Sequence, residues 1–426
     1  MPEKYPSRLL FLSPDLSLFP RILCGRFSSR FSSRLHAGLC CAVMSLGLAS
    51  PVARAADDRL RIGVIASYTG GYADYGRQFD AGMAVYLKEH GGKIGGRPVE
   101  IITRDTGGAA PALAKRFAQE LVVQDKVHVI TGLDFSPNAY AVAAVASQAR
   151  VPVVVMNAAA SGIPASSPYV ARVSFTVAQV TAPLAGWTLK QGLVNAFTLV
   201  ADYAPGLEAE AAFAQAFVAG GGKLAGGLRV PMSTLDFSAY VQRIKDVKPQ
   251  VVFFFFPSGV MPPAFLKSWK ERGMADAGIQ LVATGEATDD SYLEATGDLA
   301  LGLVTSHHYS YAHPSEKNRR FVRGFDAEKP ESSGRPLRAS YFAVAAYDGL
   351  AAIDLALART GGDVDADKLM EAFKGLKFES PRGPIEIDAA TRDVVQTVYI
   401  RRAERVNGQL VNVEFDRYER MRDTAK

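Results

Sequence analysis

The sequence predicts an α/β protein of two Rossmann-like, doubly wound lobes, joined by a hinge and separated by a cleft. Three observations lead there. From residue 60 onward, short apolar β runs alternate with amphipathic helical stretches, as in a parallel sheet covered by helices. Several of the β runs are continuously apolar, for example VPVVVM at 151–156 and VVFFFF at 251–256, which fits strands buried on both faces. The alternating series also occurs twice in tandem, with no low-complexity linker between the two.

The first series opens with a strand at 61–67 (RIGVIAS). A helix follows at 79–90, where Phe79, Met83 and Leu87 share one stripe. A strand at 99–105 leads to a helix at 110–124 carrying Leu113, Phe117 and Leu121 on one face. A strand at 127–131, a helix at 137–150 and a strand at 151–156 complete this series. The second series predicts helices at 177–191, 207–218, 237–247 and 263–272, with strands at 196–201, 224–230, 251–256 and 279–283. The tail differs. It holds a long Ala-rich helix at 338–359, a short strand at 385–388, and two strands at 398–405 and 409–415 around Asn407-Gly408, a two-residue hairpin signal. Open parallel sheets bind ligands beyond the C-terminal ends of their strands, so two such edges facing each other make a cleft that can close.

Length and composition bound the function. The 426 residues exceed one ordinary core and suit two or three domains, and 48% hydrophobic with 21% charged residues is globular composition. The formal charge is +5, but residues 1–55 hold seven Lys/Arg against two Asp/Glu, so the remainder is neutral. A neutral body gives no electrostatic reason for a nucleic-acid or anionic-membrane partner. Arg26, Arg30 and Arg34 precede an apolar stretch at 35–48, and Ala53-Arg54-Ala55 follows. A basic region, an apolar region and an A-x-A site describe a secretory signal cleaved between Ala55 and Ala56. Cys24, Cys40 and Cys41 all fall inside it, so the mature chain has no disulfide or thiol chemistry.

Catalytic and cofactor signatures are missing. The chain contains no G-x-x-x-x-G-K-[ST] loop, no G-x-S-x-G elbow and no H-E-x-x-H. The Gly-rich segment Thr69–Gly76 is not G-x-G-x-x-G. His307, His308 and His313 cluster, but at no standard zinc spacing. The expectation is a non-enzyme with no metal and no cofactor.

Loops that follow predicted strands supply the candidate ligand residues. Segment 68–76 offers Tyr72 and Tyr75 as a cover, or forms an ordinary Gly-rich turn. Ser136 precedes Pro137 at the start of a helix, where free N–H groups and a hydroxyl suit a carboxylate. Ala159, Ala160 and Ser161 offer backbone groups and a hydroxyl, or make a small-residue loop between lobes. Tyr203 opens a helix of the second series. Glu286 follows a strand and can pair with an ammonium, or is a surface carboxylate near a turn. Phe256 ends the aromatic strand and, with Pro257 and Ser258, is expected to line a pocket.

Taken in order, these segments resemble the leucine/isoleucine/valine-binding family of type I periplasmic binding proteins, over residues 60–415. RIGVIASYTGGYADYGRQFDAGMAVYLKEHGGKIGGRPVEIITRD is similar to that family's entry strand, Gly-rich loop, first helix, G-G-x-x-G-G turn and second strand. VHVITGLDFS, VVVMNAAAS and LVATGE resemble its ligand loops. The resemblance implies that Ser136 binds a ligand carboxylate. It also implies that the Ala159 or Ala160 carbonyl and Ser161 contact an amino acid, and that Glu286 meets its ammonium. It implies a periplasmic delivery role: a small molecule is passed to an ABC importer permease, with no nucleic-acid partner, by a monomer. On this basis the expected division is a signal peptide at 1–55, lobe I at 60–178 plus 307–395, and lobe II at 179–306 plus 396–426.

The sequence departs from that family at three places. Tyr203 is displaced relative to Gly206, the 158–160 loop is more apolar, and Asp134 adds a carboxylate beside Ser136. The primary expectation is a branched-chain or other hydrophobic amino acid. Tyr72, Tyr75, Phe135 and Phe256 would also suit an aromatic carboxylate or amide. A ligand-sensing receptor module and an α/β enzyme are the readings from other classes.

Overall fold

The structure is a computed structural model that describes residues 58–425. The expected export signal and all three cysteines lie outside the described residues.

Each predicted series builds a sheet. The first contributes β1 (Leu60–Ala66), α1 (Ala73–Glu89), β2 (Lys93–Ile94), β3 (Arg97–Asp105), α2 (Pro111–Val123), β4 (Val129–Gly132), α3 (Ser136–Ala149), β5 (Val153–Val155) and β6 (Val170–Arg172). The order β2-β3-β1-β4-β5-β6 is parallel except at the β2 edge. β1 lies between β3 and β4, so the connections leave in opposite directions from β1 and β4. The segments after those two strands therefore flank a crevice.

The second series contributes α4 (Val177–Lys190), β7 (Asn195–Ala201), α5 (Ala204–Ala219), β8 (Lys223–Val230), α6 (Ser238–Val247), β9 (Val251–Phe255), α7 (Met261–Glu271), β10 (Gln280–Thr284), α8 (Asp290–Thr296) and β11 (Val304–His307). Its parallel order is β8-β7-β9-β10-β11, with the equivalent crevice between β7 and β9.

The chain then adds α9 (Glu316–Glu328), the small hairpin β12 (Glu331–Ser332) and β13 (Arg335–Pro336), α10 (Tyr341–Thr360) and α11 (Ala366–Phe373). α9 and α10 pack on α1 of the first lobe. The approach of α10 is close enough that a Cβ at Gly82 would collide with the Ala343 carbonyl. α10 is apolar and long enough to cross a membrane by composition, but 83% of its apolar window is buried in the protein, so it is a core helix.

Four antiparallel strands close the second sheet: β14 (Lys377–Ser380), β15 (Gly383–Ile387), β16 (Val394–Val406) and β17 (Gln409–Met421). The Asn407-Gly408 turn joins β16 to β17 as expected, with φ of 51° and 83°. β14 and β15, placed by sequence with lobe I, hydrogen-bond into the sheet of the second lobe through β16. Segment 290–337 carries α8, β11 and α9, none of which the periodicity predicted. α9 buries only Asn318, Phe321 and Phe325, too sparse a stripe to read in advance.

Two buried arginines tie the lobes together at their edges. Arg172, the last residue of β6, is fully buried and forms a two-pronged ion pair with Asp393 at 2.6 and 2.9 Å, just before β16. Arg382 pairs with Asp348 of α10 at 2.8 Å and also reaches the Ser174 carbonyl.

Candidate ligand-binding site

The two crevices face each other across one small cavity. The first lobe supplies Asp134, Phe135 and Ser136 after β4, Asn157 and Ala159 after β5, Tyr75 from the first turn of α1, and Tyr341 and Phe342 from the start of α10. Phe175 enters from the passage between β6 and α4. The second lobe supplies Tyr203 and Pro205 after β7, Phe255, Pro257 and Ser258 at the end of β9, and Glu286 after β10. The cavity between these atoms is small, about 30 Å³. It is a narrow slot between rings.

Those rings support one another. Tyr75 stacks on Phe342 at 4.0 Å and Phe342 on Tyr341 at 4.4 Å, while Tyr203 lies over Phe255 at 6.2 Å. Tyr75 also closes the slot, since its phenol donates to the Ser258 carbonyl of the other lobe at 2.6 Å.

The loop after β4 depends on an unusual backbone. Gly132 has φ of 91°, and a Cβ there would sit 2.6 Å from the Ile65 carbonyl oxygen. Only glycine fits, and the turn it permits brings Asp134 to the head of α3. Asp134 accepts hydrogen bonds from the Ser67 and Phe135 amides at 2.8 and 3.0 Å, and burial pushes its pKa up to about 6. Its oxygens are thus directed at backbone donors. Phe135 caps α3, Ser136 is its first residue and Pro137 its second. Ser136 is one position later than expected and makes no cap bond. Its Oγ instead accepts the Ala160 amide at 3.1 Å.

Glu286 sits in the 3-10 turn Gly285–Thr288, with 6% exposure. Burial raises its pKa to about 7. Among the described residues Glu286 Oε2 has no hydrogen-bond partner, and it lies 3.8 Å from Nε2 of the buried His307.

Five expected residues line the cavity together: Tyr75, Ser136, Ala159, Tyr203 and Glu286. Three do not line it. The Phe256 ring packs with Phe237, Phe254 and Phe265 on the opposite side of the sheet. Strand alternation puts Phe255 at the slot instead. Ser161 donates its amide to Glu208 at 2.8 Å and its hydroxyl to Asp423 at 3.0 Å, away from the slot. Ala160 lies in the core beneath the loop. The carbonyls of this loop are already engaged: Arg172 donates to Ala158 and Ala160 at 2.8 Å each, and the Val177 amide donates to Ala159 at 3.0 Å.

Sequence reasoning missed Phe175, Phe255, Tyr341 and Phe342, whereas Pro257 and Ser258, expected at the strand end, do line the slot. Tyr341 and Phe342 stand next to Ser340, whose hydroxyl caps α10, and two adjacent aromatics at a helix start were a readable signal. Among the described residues, no group of three or more His, Cys, Asp or Glu is placed to hold a metal.

Two doubly wound lobes enclosing a small, mostly aromatic slot define a solute-binding protein of an ABC importer. The chain belongs to the periplasmic binding protein family, whose family model matches residues 59–409. It is 42% identical, over 90% of this chain and 96% of the relative, to Leu/Ile/Val-binding protein homolog 6 of Brucella melitensis biotype 1. Its fold matches a solute-binding protein of an ABC transporter from Rhodopseudomonas palustris BisB5, solved in complex with 3,4-dihydroxybenzoic acid. That match has 44% identity and a TM-score of 0.82, covering 86% of this chain and 99% of the other. A second R. palustris solute-binding protein, in complex with 4-hydroxybenzoate, matches at 39% identity and TM-score 0.83 over the same shares.

Proposed function

We propose that this protein captures a small aromatic carboxylate of the hydroxybenzoate class in the periplasm and delivers it to the importer permease, with no bond made or broken. The observation that carries this reading is the composition of the slot wall. Seven aromatic rings face the space: Tyr75, Phe135, Phe175, Tyr203, Phe255, Tyr341 and Phe342. A flat ring gains stacking and desolvation there. In this reading the ligand carboxylate docks at the start of α3, beside Ser136. Glu286 accepts a hydrogen bond from a ring hydroxyl, and Tyr75 and Tyr203 shut the slot. Ala160, Ser161 and Phe256 act from behind by shaping the loop and strand that carry Ala159 and Phe255. The hydroxybenzoates bound by the R. palustris relatives support this choice.

A branched-chain amino acid is the second reading. It is favoured by the buried, unpartnered Oε2 of Glu286, which suits an ammonium, and by the name of the Brucella relative. The engaged carbonyls at 158–160 leave Glu286 with less help in holding a cation. Thermal-shift titration separates the two. A ligand at a hundredfold its Kd stabilises the protein by about 2.7 kcal/mol. Stabilisation by 4-hydroxybenzoate or 3,4-dihydroxybenzoate, and none by leucine, isoleucine or valine, supports the first reading; the reverse pattern refutes it.

The same proposal includes export through residues 1–55 with cleavage between Ala55 and Ala56. N-terminal sequencing of the periplasmic protein tests it, and a mature chain starting elsewhere rejects that cleavage site.

A further inference from the structure

We propose that His307 is a specificity-determining residue of this slot, acting with Glu286 on one and the same hydroxyl of the ligand. This rests on the aromatic hydroxy-acid reading above and adds the residue that distinguishes a hydroxylated ring from a bare one.

His307 ends β11 with its side chain fully buried. Neither of its ring nitrogens has a hydrogen-bond partner among the described residues. A neutral imidazole carries one N–H donor and one acceptor, and leaving such a group unpaired in the interior costs about 1–3 kcal/mol. Buried polar groups are nearly always paired, so an orphan beside a ligand slot points to a partner that arrives with the ligand. Glu286 Oε2 is orphaned in the same way, 3.8 Å from His307 Nε2. That gap is too long for a direct hydrogen bond. It is a suitable span for a single oxygen placed about 2.8 Å from each atom. A phenol hydroxyl meets both needs at once, donating to the carboxylate and accepting from the imidazole N–H.

The surroundings hold the imidazole in place and neutral. Its ring packs on Tyr341 at 4.5 Å and Phe175 at 4.8 Å, both of which form the slot wall. Gly285 leaves room for it, since a Cβ there would collide with the His307 side chain and with Arg401. Burial, then the Arg401 and Arg382 guanidiniums, hold its pKa well below the usual histidine value. The same two positive charges disfavour a cationic group at this point of the slot.

The test is calorimetric titration of the mature protein and its His307→Phe variant with 4-hydroxybenzoate and with benzoate. Phenylalanine keeps the ring and removes the nitrogens. The expected result is a roughly tenfold loss of affinity for 4-hydroxybenzoate, with benzoate affinity within about twofold of wild type. A folded variant with unchanged selectivity overturns this proposal alone. A wild-type protein that binds neither acid overturns the ligand reading and this proposal with it. Should the variant not fold, nitrogen-15 spectra of wild-type histidines decide. A His307 ring shift with 4-hydroxybenzoate and not with benzoate supports the role, and identical spectra with both acids overturn it.

Discussion

The Tyr75 phenol of the first lobe donates to the Ser258 carbonyl of the second at 2.6 Å, while its ring stacks on Phe342 at 4.0 Å. One side chain therefore walls the slot and latches it. Tyr75→Phe keeps the ring and removes the latch. A neutral hydrogen bond contributes about 1 kcal/mol, so ligand affinity should weaken roughly fivefold, chiefly by favouring the open state. Calorimetric titration checks this, and an unchanged Kd would show that closure does not use the bond.

Glu286 gives a pH dependence of known sign. Folding raises its pKa from 4.5 to about 7, so the folded protein holds this proton more tightly than the unfolded chain. Its ionisation costs nothing extra below the unfolded pKa, and the cost grows as pH rises from about 4.5 to about 7. Glu286→Gln lacks that titration. In the ligand-free protein, the stability of Glu286→Gln relative to wild type should therefore increase from pH 5 to pH 8, by up to ~3 kcal/mol. Denaturant melts at both pH values measure it; a gap independent of pH refutes the burial argument.

Arg172 joins β6 to Asp393 and also holds the Ala158 and Ala160 carbonyls. Arg172→Met leaves Asp393 without this partner in the interior, and breaking a buried pair from one side costs about 3–5 kcal/mol. Adding Asp393→Leu should recover part of that loss, because two apolar groups need no counter-charge. A double variant no more stable than Arg172→Met would count against this account.

Phe255 and Phe256 are neighbours with opposite duties. Phe256 is buried among Phe237, Phe254 and Phe265, whereas Phe255 faces the slot. Phe256→Ala should cost about 3–5 kcal/mol of stability and leave ligand selectivity intact. Phe255→Ala should change affinity among ring-bearing ligands. Equal effects of both variants on binding would contradict the observed facing of β9.

Much of this molecule was legible in advance because alternation and apolar runs are local properties of the chain. VPVVVM and VVFFFF became central strands, and Asn407-Gly408 became the hairpin turn. Position after a strand was enough to nominate Ser136, Tyr203 and Glu286 as slot residues. The misses share a cause. Phe256 was preferred to Phe255 because the face a strand residue shows depends on the register of the whole sheet, and a shift of one residue exchanges the faces. Ser161 and Ala160 were nominated for groups that Glu208, Asp423, Ser136 and Arg172 had already claimed. No spacing rule announces such partners, because they come from distant segments.

By itself, then, the sequence determined the two-lobed α/β architecture, the family, and the loops that face the cleft. The tertiary structure alone decided which side chains reach the slot and which buried polar atoms near it, those of His307 and Glu286 above all, lack a partner among the described residues. The physical reason is that secondary structure follows from neighbours along the chain. A pocket follows from neighbours in space, brought together by burial and by hydrogen bonds between distant residues.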